Sequence, residues 1–134
     1  MKNGKHVEPN GTVLYYKNDL LHREDGPAMV TKDKTQVWYK NGNVHSYNNN
    51  PAIITQDGFK AWYDTGIRHR SDGPAIINPD GTLSFYYLGY FAAEKEVFNL
   101  EAWRTEVEGL VSGINDAPDM SKYLKRDEAQ ADAD

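Results

Sequence analysis

Cysteine is absent from the 134 residues, and so are long apolar runs and a marked excess of basic residues. Without cysteine there is no disulfide framework and no thiolate ligand for a structural zinc ion. No stretch approaches the roughly 18 consecutive apolar residues that suggest a membrane-spanning helix. The first six residues lack the apolar run of a signal peptide. We therefore expect a cytoplasmic protein that does not contact membranes.

The charge of the chain is unevenly distributed. Residues 1 to 90 contain ten Lys or Arg and nine Asp or Glu, whereas residues 91 to 134 contain five and eleven. Nucleic-acid binding needs a basic surface that neutralises phosphates. The balanced first part and the acidic last part therefore argue against a nucleic-acid partner and favour a protein or a small ligand.

Motifs for catalysis are also missing. The chain has no glycine-rich phosphate loop, no His-Glu-x-x-His, no Gly-x-Ser-x-Gly and no cysteine nucleophile. Arg23 with Asp25 and Arg70 with Asp72 recur at matching places, whereas catalysis needs one asymmetric site. We therefore expect no enzymatic activity, with the arginines stacked on aromatic rings and the aspartates bonded to their own turns.

A repeated aromatic pair organises what is present. Its first members lie 23, 24 and 23 residues apart, and a tyrosine follows each of them: Tyr15, Trp38, Trp62 and Phe85. Pro-Ala recurs at 27, 51 and 74, each time 11 residues before the next pair. This constant register predicts four copies of one structural unit.

Each copy contains the signals of a β-hairpin. Apolar segments flank Asp57-Gly58, a pair that tolerates the positive φ angles of a tight turn, whereas Asp33-Lys34 lacks the glycine and should form a looser turn. Alternation places Trp38 and Tyr39 on opposite faces of a strand. A second turn is expected four residues after the first aromatic of each copy, at Asp19, Gly42, Gly66 and Gly89. We predict a mainly β fold, an antiparallel β-hairpin repeat meander over residues 1–91.

The fourth copy is followed by helical periodicity instead of another loop. A helix is predicted from Ala92 to Val111, ending near Gly113, as the 92–112 cap of the array. Its solvated face carries Glu94, Glu101 and Glu108. Its apolar stripe contains Val97, Leu100, Val107 and Val111, with Phe98 and Trp103 near the same side.

The last residues read as a linker, a short helix and a tail. Residues 113–118 form the linker, and one or two helical turns are expected over 119–126. Residues 127–134 are acidic and rich in alanine, a composition typical of disorder. We treat 113–134 as one region without a core of its own.

The repeated motif Trp-Tyr-x-x-Gly-x-x-His-Arg-x-Asp-Gly-Pro-Ala resembles MORN-type and MORN-like repeats. It is more closely similar to repeat proteins of tailed bacteriophages and some large viruses, whose arrays end much like Tyr86 to Gly89. The resemblance implies a twisted single-layer antiparallel sheet and a role in binding. It also implies a phage source, a host protein as partner, and action as an inhibitor or anti-defence factor in the host cytoplasm.

Three histidines, His22, His45 and His69, share one register. Equivalent residues of successive hairpins lie about 10 Å apart, twice the strand spacing. One zinc ion needs its ligands about 2 Å away. We therefore expect no metal ion and no cofactor, and histidines that donate to backbone carbonyls.

Copy two departs from the motif between Ser46 and Asn50, with one extra residue. An irregular loop that exposes a tyrosine and three amides is the first place to expect a specific contact, although simple drift in a surface loop is the more common explanation, because loops tolerate insertions cheaply. The predicted protein-binding residues are Tyr47, Asn48, Asn49 and Asn50 in this loop, together with Glu101 and Glu108 on the acidic helix. Two alternatives stay open: a self-associating structural protein that forms homo-oligomers, and a protein that sequesters a small ligand or nucleotide.

Overall fold

The computed structural model describes residues 1–94, 99–112 and the two-residue strand 125–126. The described chain is mainly β, with every strand pair antiparallel and one α-helix after the fourth copy. The predicted fold class, a β-hairpin meander capped by a C-terminal helix, is confirmed.

The strands share one main sheet and two small ones. The main sheet has 11 strands in the order β1-β2-β4-β5-β8-β9-β12-β13-β14-β15, with β3 paired to β2; β6 pairs with β7, and β10 with β11. The bounds are β1 (Gly4–Val7), β2 (Val13–Lys17), β3 (Leu20–Leu21), β4 (Met29–Val30), β5 (Gln36–Val37), β6 (Tyr39–Lys40), β7 (Asn43–Val44), β8 (Ile53–Ile54), β9 (Lys60–Ala61), β10 (Tyr63–Asp64), β11 (Ile67–Arg68), β12 (Ile76–Ile77), β13 (Leu83–Tyr87), β14 (Tyr90–Ala93) and β15 (Lys125–Arg126).

The inner copies leave the main sheet at the tryptophan. β5 ends at Val37 and β6 begins at Tyr39, so Trp38 stands between the main sheet and a small side hairpin, and Trp62 stands likewise between β9 and β10. In the last copy β13 is continuous: Phe85 packs under the helix, and Tyr86 packs with Trp62. The alternation expected of the aromatic pair therefore holds in this copy.

The strands of the main sheet end on two opposite sides of the sheet. The side called the turn edge here carries the loops between paired strands. In 55–59 the Thr55 N–H donates to the Phe59 carbonyl at 3.0 Å, and Gly58 has φ +101°. In 31–35 the Thr31 N–H donates to the Thr35 carbonyl at 2.9 Å, and Lys34 takes φ +74°. The looser turn predicted at Asp33-Lys34 is wrong, because lysine adopts the left-handed conformation of the glycine and keeps its hydrogen bonds.

The opposite edge, the hairpin edge, carries the second turns. Each is a two-residue turn with positive φ at both central residues, which is the type I′ geometry that matches the twist of the flanking strands. The pairs are Asn18–Asp19 (52° and 71°), Asn41–Gly42 (47° and 87°), Thr65–Gly66 (47° and 91°) and Leu88–Gly89 (54° and 86°). The predicted turn positions are confirmed.

Three alanines of the Pro-Ala pairs are fully buried between neighbouring copies: Ala28, Ala52 and Ala75. The Ala52 N–H donates to the Ala61 carbonyl, and the Ala52 carbonyl accepts from the Trp38 N–H, both at 2.8 Å. Each alanine thus links two strands while its small side chain leaves room for the aromatic residues beside it.

The helix α1 spans Leu100–Ser112 and does not begin at Ala92 as predicted. Ala92 and Ala93 complete β14, where they pair with Phe85 and Ser84 of β13. Ala92 is fully buried there, so sheet packing outweighs the helix propensity of alanine. Asn99 Oδ1 accepts the Ala102 N–H at 3.0 Å, which is the bonding of an N-cap.

The helix covers one face of the last hairpin. Trp103 (3% exposed) and Val107 (0%) pack with Ala92, and Phe85, Tyr87, Tyr90, Leu100 and Leu110 surround them. Val111 is 56% exposed, so its place in the predicted stripe is wrong and Leu110 packs instead. Glu94, Glu101 and Glu108 are exposed as predicted. The predicted contacts of Val97 and Phe98 lie outside the described residues.

The end of the chain adds one further strand. Lys125–Arg126 pairs with β14, with Tyr90 opposite Arg126 and Phe91 opposite Lys125. The helical turns predicted over 119–126 are therefore wrong at their last two residues, because the free edge of β14 accepts an extended segment. The end at Gly113, the 113–118 linker, residues 119–124 and the 127–134 tail lie outside the described residues. Within the described parts, no helix has the length and apolar character that crossing a membrane requires.

Candidate functional site

Three connection loops line the hairpin edge: loop A (23–26), loop B (46–50) and loop C (70–73). Each begins with a backbone N–H that donates to the next copy. The bonds run from Arg23 to the Tyr39 carbonyl (3.3 Å), from Ser46 to Tyr63 (2.8 Å) and from Arg70 to Tyr86 (2.9 Å). The loops are therefore fixed to the array although they carry little regular structure.

The histidine before each loop fixes the next side hairpin. The Nδ1 atoms of His22, His45 and His69 accept the backbone N–H of Asn41 (3.0 Å), Thr65 (3.0 Å) and Leu88 (2.8 Å). The predicted donation from histidine to backbone carbonyls is wrong, because Nδ1 is the acceptor. In the described part of the chain, no three His, Asp or Glu side chains are grouped so as to hold a metal ion.

The environment favours the neutral histidine ring. Burial lowers the pKa of His45, the charge of Lys40 lowers it further, and Asp64 opposes both. Burial also lowers the pKa of His69, again against Asp64. An imidazolium has no free lone pair to accept an N–H, so these inter-copy bonds require the neutral form.

Copies one and three each hold an arginine on an aromatic ring. The Arg70 guanidinium lies 3.9 Å from the Trp62 ring centroid, its Nε lies 3.1 Å from Asp72 Oδ1, and its Nη1 donates to the Pro74 carbonyl at 3.0 Å. Arg23 repeats the arrangement on Tyr15, with 3.9 Å to the ring. The predicted stacking is confirmed.

The hydrogen bonds of the aspartates in loops A and C differ from the prediction. Asp25 Oδ1 accepts from Arg23 Nε at 3.0 Å, and the Pro27 carbonyl accepts from Arg23 Nη1 at 3.2 Å. The aspartates thus bind the arginine of their loop, and not the turn backbone as predicted. A Cβ at Gly26 would lie 2.8 Å from Arg23 Cζ. The glycine of the motif therefore makes room for the guanidinium. We call this set of arginine, aspartate, glycine and ring the arginine clamp.

Loop B lacks the clamp. Ser46 stands where copies one and three have arginine, and its Oγ accepts the Tyr63 N–H at 3.0 Å. Tyr47 is half-buried, and its hydroxyl donates to the Tyr39 carbonyl at 3.1 Å. The prediction that loop B exposes Tyr47 is wrong, because the hydroxyl bond anchors the side chain to the array.

The three asparagines of loop B are exposed as predicted. Asn48 and Asn49 both take positive φ, 55° and 63°, which asparagine tolerates better than most residues. Asn49 Nδ2 donates to Asp72 Oδ2 at 2.7 Å, and the Asn49 carbonyl accepts from the Trp62 indole N–H at 3.0 Å. Asn49 therefore closes the space between loops B and C.

The corresponding space between loops A and B is open. It forms a cavity of about 410 Å³, lined by Glu24, Asp25, Gly26, Trp38, Tyr47, Asn48, Asn50, Pro51 and Ile54. Sequence reasoning identified Tyr47, Asn48 and Asn50 but missed Trp38, Glu24 and Asp25. The signal that points to Trp38 is the missing arginine of copy two, since that arginine would have covered its ring.

The two predicted helix glutamates lie elsewhere. Glu108 accepts from the Tyr87 hydroxyl, a bond that, ahead of burial, raises the pKa of Tyr87. Glu101 is exposed on the first turn of α1. Arg104 of α1 donates to the Ser71 carbonyl and so links the helix to loop C. Among the described contacts none joins Glu101 or Glu108 to loop B, so the structure brings together only the loop part of the predicted site.

Comparisons with known proteins were made for the family, the sequence and the fold. No family model matches the chain, and neither a curated protein nor a solved structure matches it. The resemblance to MORN-like repeats therefore stays a prediction from the motif.

Proposed function

We propose that this chain is a non-catalytic protein-binding module whose contact surface is loop B and the adjacent cavity. The observation that carries the proposal is an exposed loop held in one shape. Asn48, Asn49 and Asn50 face solvent, while bonds from Ser46, Tyr47 and Asn49 fix the loop to copies two and three. A surface that is already ordered loses little conformational entropy on binding.

The composition of this surface supports a protein partner. It combines a tyrosine and a tryptophan with amides, and aromatic residues of this kind are enriched in the energetically important parts of protein interfaces. The resemblance of the motif adds the expectation that the source is a phage and the partner a host protein. On that expectation the module acts in the host cytoplasm as an inhibitor or anti-defence factor.

The test is a pull-down from host lysate, followed by calorimetry with the captured protein. Tyr47→Ala should weaken binding by about 1 to 3 kcal/mol, as expected for an interface tyrosine. Tyr47→Phe is the matched control, because both variants lose the bond to Tyr39 but only one loses the ring. The proposal fails if Tyr47→Ala binds a stoichiometric partner as tightly as Tyr47→Phe does.

Self-association is the second candidate, and the edge strand β1 favours it. Among the described strands β1 pairs only with β2, and Val7 on it is 62% exposed. An unpaired strand edge can template another chain. Sedimentation that shows a concentration-dependent dimer, abolished by Val7→Lys, would support this candidate; a monomer at all concentrations would exclude it.

A further inference from the structure

Copy two presents an aromatic ring whose counterparts in copies one and three are covered by an arginine of the same copy. Tyr15 and Trp62 each have a guanidinium 3.9 Å from the ring centroid, whereas no guanidinium of the described residues lies over Trp38. Trp62 is only 5% exposed, while Trp38 is partly open to the cavity. The two covered rings therefore serve as internal templates, and in both of them the group over the ring is a guanidinium.

The acceptor for such a group is also present. In the clamps the carbonyls of Pro27 and Pro74 accept a hydrogen bond from arginine Nη1. Pro51 is their counterpart in copy two, and it lines the cavity beside Trp38. Copy two has serine at position 46, so it has no arginine to donate to the Pro51 carbonyl.

Charge complements this arrangement. Glu24 and Asp25 line the cavity, and their side chains are 69% and 88% exposed. The carboxylate of Glu24 acts across the cavity, since it raises the pKa of Tyr47 further after burial has raised it. The whole chain carries a net charge of −5. The cavity therefore favours a cation over an anion or a neutral group.

We propose that the cavity between loops A and B binds the arginine side chain of a protein partner. The guanidinium stacks on Trp38, donates to the Pro51 carbonyl and pairs with the exposed carboxylates of Asp25 and Glu24. These carboxylates also contact Arg23 Nε (3.0 Å) and His22 Nε2 (3.1 Å) of their own copy. Asn50 replaces the clamp glycine, and a Cβ at the corresponding Gly73 would lie 3.0 Å from Arg70 Cζ. Asn50 therefore excludes the internal geometry, and the arginine enters from solvent. This assignment rests on the proposed function.

Arginine fits better than lysine for a geometric reason. A guanidinium is planar, stacks on aromatic faces and presents several donors in a fixed fork, whereas an ammonium is a compact, strongly hydrated charge. Both internal templates in this chain are arginines, Arg23 and Arg70. The Trp38 ring fits the planar stacking surface of a guanidinium, and the Pro51 carbonyl and the two carboxylates fit its several N–H donors.

The direct test is an NMR titration of the full chain with three peptides: acetyl-Gly-Arg-Gly-amide and its lysine and citrulline counterparts. Citrulline has the shape of arginine without the charge. The arginine peptide should shift the Trp38 indole N–H saturably, with a Kd of about 1 to 10 mM for so small a ligand. The lysine peptide should bind about fivefold more weakly, and the citrulline peptide should not saturate. Equal binding of lysine, or no shift at Trp38, overturns the proposal.

Variants locate the site. Glu24→Gln with Asp25→Asn should weaken the arginine peptide about tenfold, because the peptide loses both carboxylate partners. Glu8→Gln with Glu94→Gln is the matched control: it removes the same net charge at exposed positions outside the cavity lining and should leave the affinity unchanged. Trp38→Leu should abolish the shift in the loop amides. If Trp38→Leu fails to fold, the two double variants still test the proposal. Equal weakening of arginine-peptide binding by the cavity variant and by the control variant overturns it.

The partner assay separates this inference from the proposed function. A captured protein should lose at least about tenfold in affinity when one of its surface arginines is changed to citrulline or alanine. If Tyr47→Ala weakens the complex but no arginine of the partner matters, the arginine inference is wrong and protein binding stands. If the peptide binds at Trp38 but every captured protein ignores loop B, the proposed function is wrong, and with it the claim of a protein source for the arginine.

Discussion

The two edges of the sheet are built by the same repeat but closed in different ways. On the turn edge each loop is closed within its own copy: Thr55 bonds Asp57 and Phe59 inside five residues. On the hairpin edge the bonds run between copies, as from Thr65 to His45 and from Ser46 to Tyr63. Local sequence therefore determines the turn edge, and the neighbouring copy determines the hairpin edge.

This difference explains how copy two could change. Lys34 replaces glycine on the turn edge without altering a single bond of the turn pattern. Ser46 replaces arginine on the hairpin edge and leaves the ring of Trp38 open to a cavity. A change on the hairpin edge thus opens a cavity between two loops, while a change on the turn edge keeps the turn and its hydrogen bonds.

The largest effect should come from removing the cap at the end of the hairpin edge. Trp103→Ala should lower the free energy of unfolding by about 3 to 5 kcal/mol, because a large buried side chain leaves a cavity over Phe85 and Tyr87. Urea denaturation measures the change. The control Val111→Ala, at a position 56% exposed, should cost less than about 0.5 kcal/mol. Equal losses for the two variants would show that α1 does not stabilise the array.

Removing an arginine clamp should give the second largest loss in the free energy of unfolding. Arg70→Ala should cost about 1 to 2 kcal/mol, since it removes a stack on Trp62 and a hydrogen bond to the Pro74 carbonyl. Arg23→Ala should cost less, because tyrosine attracts a cation more weakly than tryptophan and the side chain of Arg23 is more exposed, 28% against 20%.

Chemical denaturation at low and at moderate salt measures the free energy of unfolding of both arginine variants. The loss in both variants should persist in salt, because stacking and carbonyl bonding are screened less than exposed charge pairs. A loss that disappears at moderate salt would contradict the clamp and leave only the exposed bonds to Asp25 and Asp72.

A smaller effect of opposite sign is expected on the turn edge. Lys34→Gly should raise the free energy of unfolding by about 0.5 to 1 kcal/mol, because a residue with a side chain is strained at φ +74°. Gly58→Ala should lower it by a similar amount. No atom lies within 4 Å of a Cβ placed at Gly58, so strain alone is tested. Differential scanning calorimetry of both variants should give shifts of opposite direction, and a shared direction would contradict the equivalence of the two turns.

Features within one copy could be predicted from the sequence. The hairpins, the turn positions at Gly42 and Gly66, and the stacking of Arg70 follow from residue types at short separation. The start of α1 could not be predicted, because alanine suits a helix and Ala92 is drawn into β14 by its pairing with Phe85. The tight turn at Lys34 could not be predicted, because intrinsic propensity disfavours a positive φ for lysine and the flanking strands impose it.

The candidate site was predictable only in part for the same reason. The irregular sequence of loop B marked Tyr47 and the asparagines, but the cavity is formed by loop A, Trp38 and Pro51 together. Its opening depends on Ser46, which replaces the arginine of copies one and three, and on loop A, which lies 23 residues earlier in the chain. The role of Tyr47 as an anchor likewise depends on the Tyr39 carbonyl, which belongs to the preceding side hairpin.

The last prediction separates the two edges by pH. Burial lowers the pKa of His45 and His69 from the ordinary value of 6.5, so the folded state binds fewer protons than the unfolded state below that value. Their contribution is fully present above pH 6.5 and is lost as the pH falls through the folded-state pKa. On the turn edge, hydrogen bonds from Thr31 and Thr55 lower the pKa of Asp33 and Asp57 from 3.8, so their contribution is lost only below that value.

The melting temperature should therefore fall in two steps, the first as the pH drops below 6.5 and the second as it drops below 3.8. His45→Asn with His69→Asn should flatten the first step, because asparagine Oδ1 can accept the same backbone N–H and does not titrate. Lys40 and Asp64 act on these rings with opposite sign and are left unchanged. Asp33→Asn with Asp57→Asn should reduce the second step and leave the first unchanged. A residual second step is expected from Asp80 and from Asp72, because hydrogen bonds from Thr82 and Asn49 lower their pKa as well. Melting curves recorded from pH 7.5 to 3 would contradict the division of the edges if either pair altered the step assigned to the other.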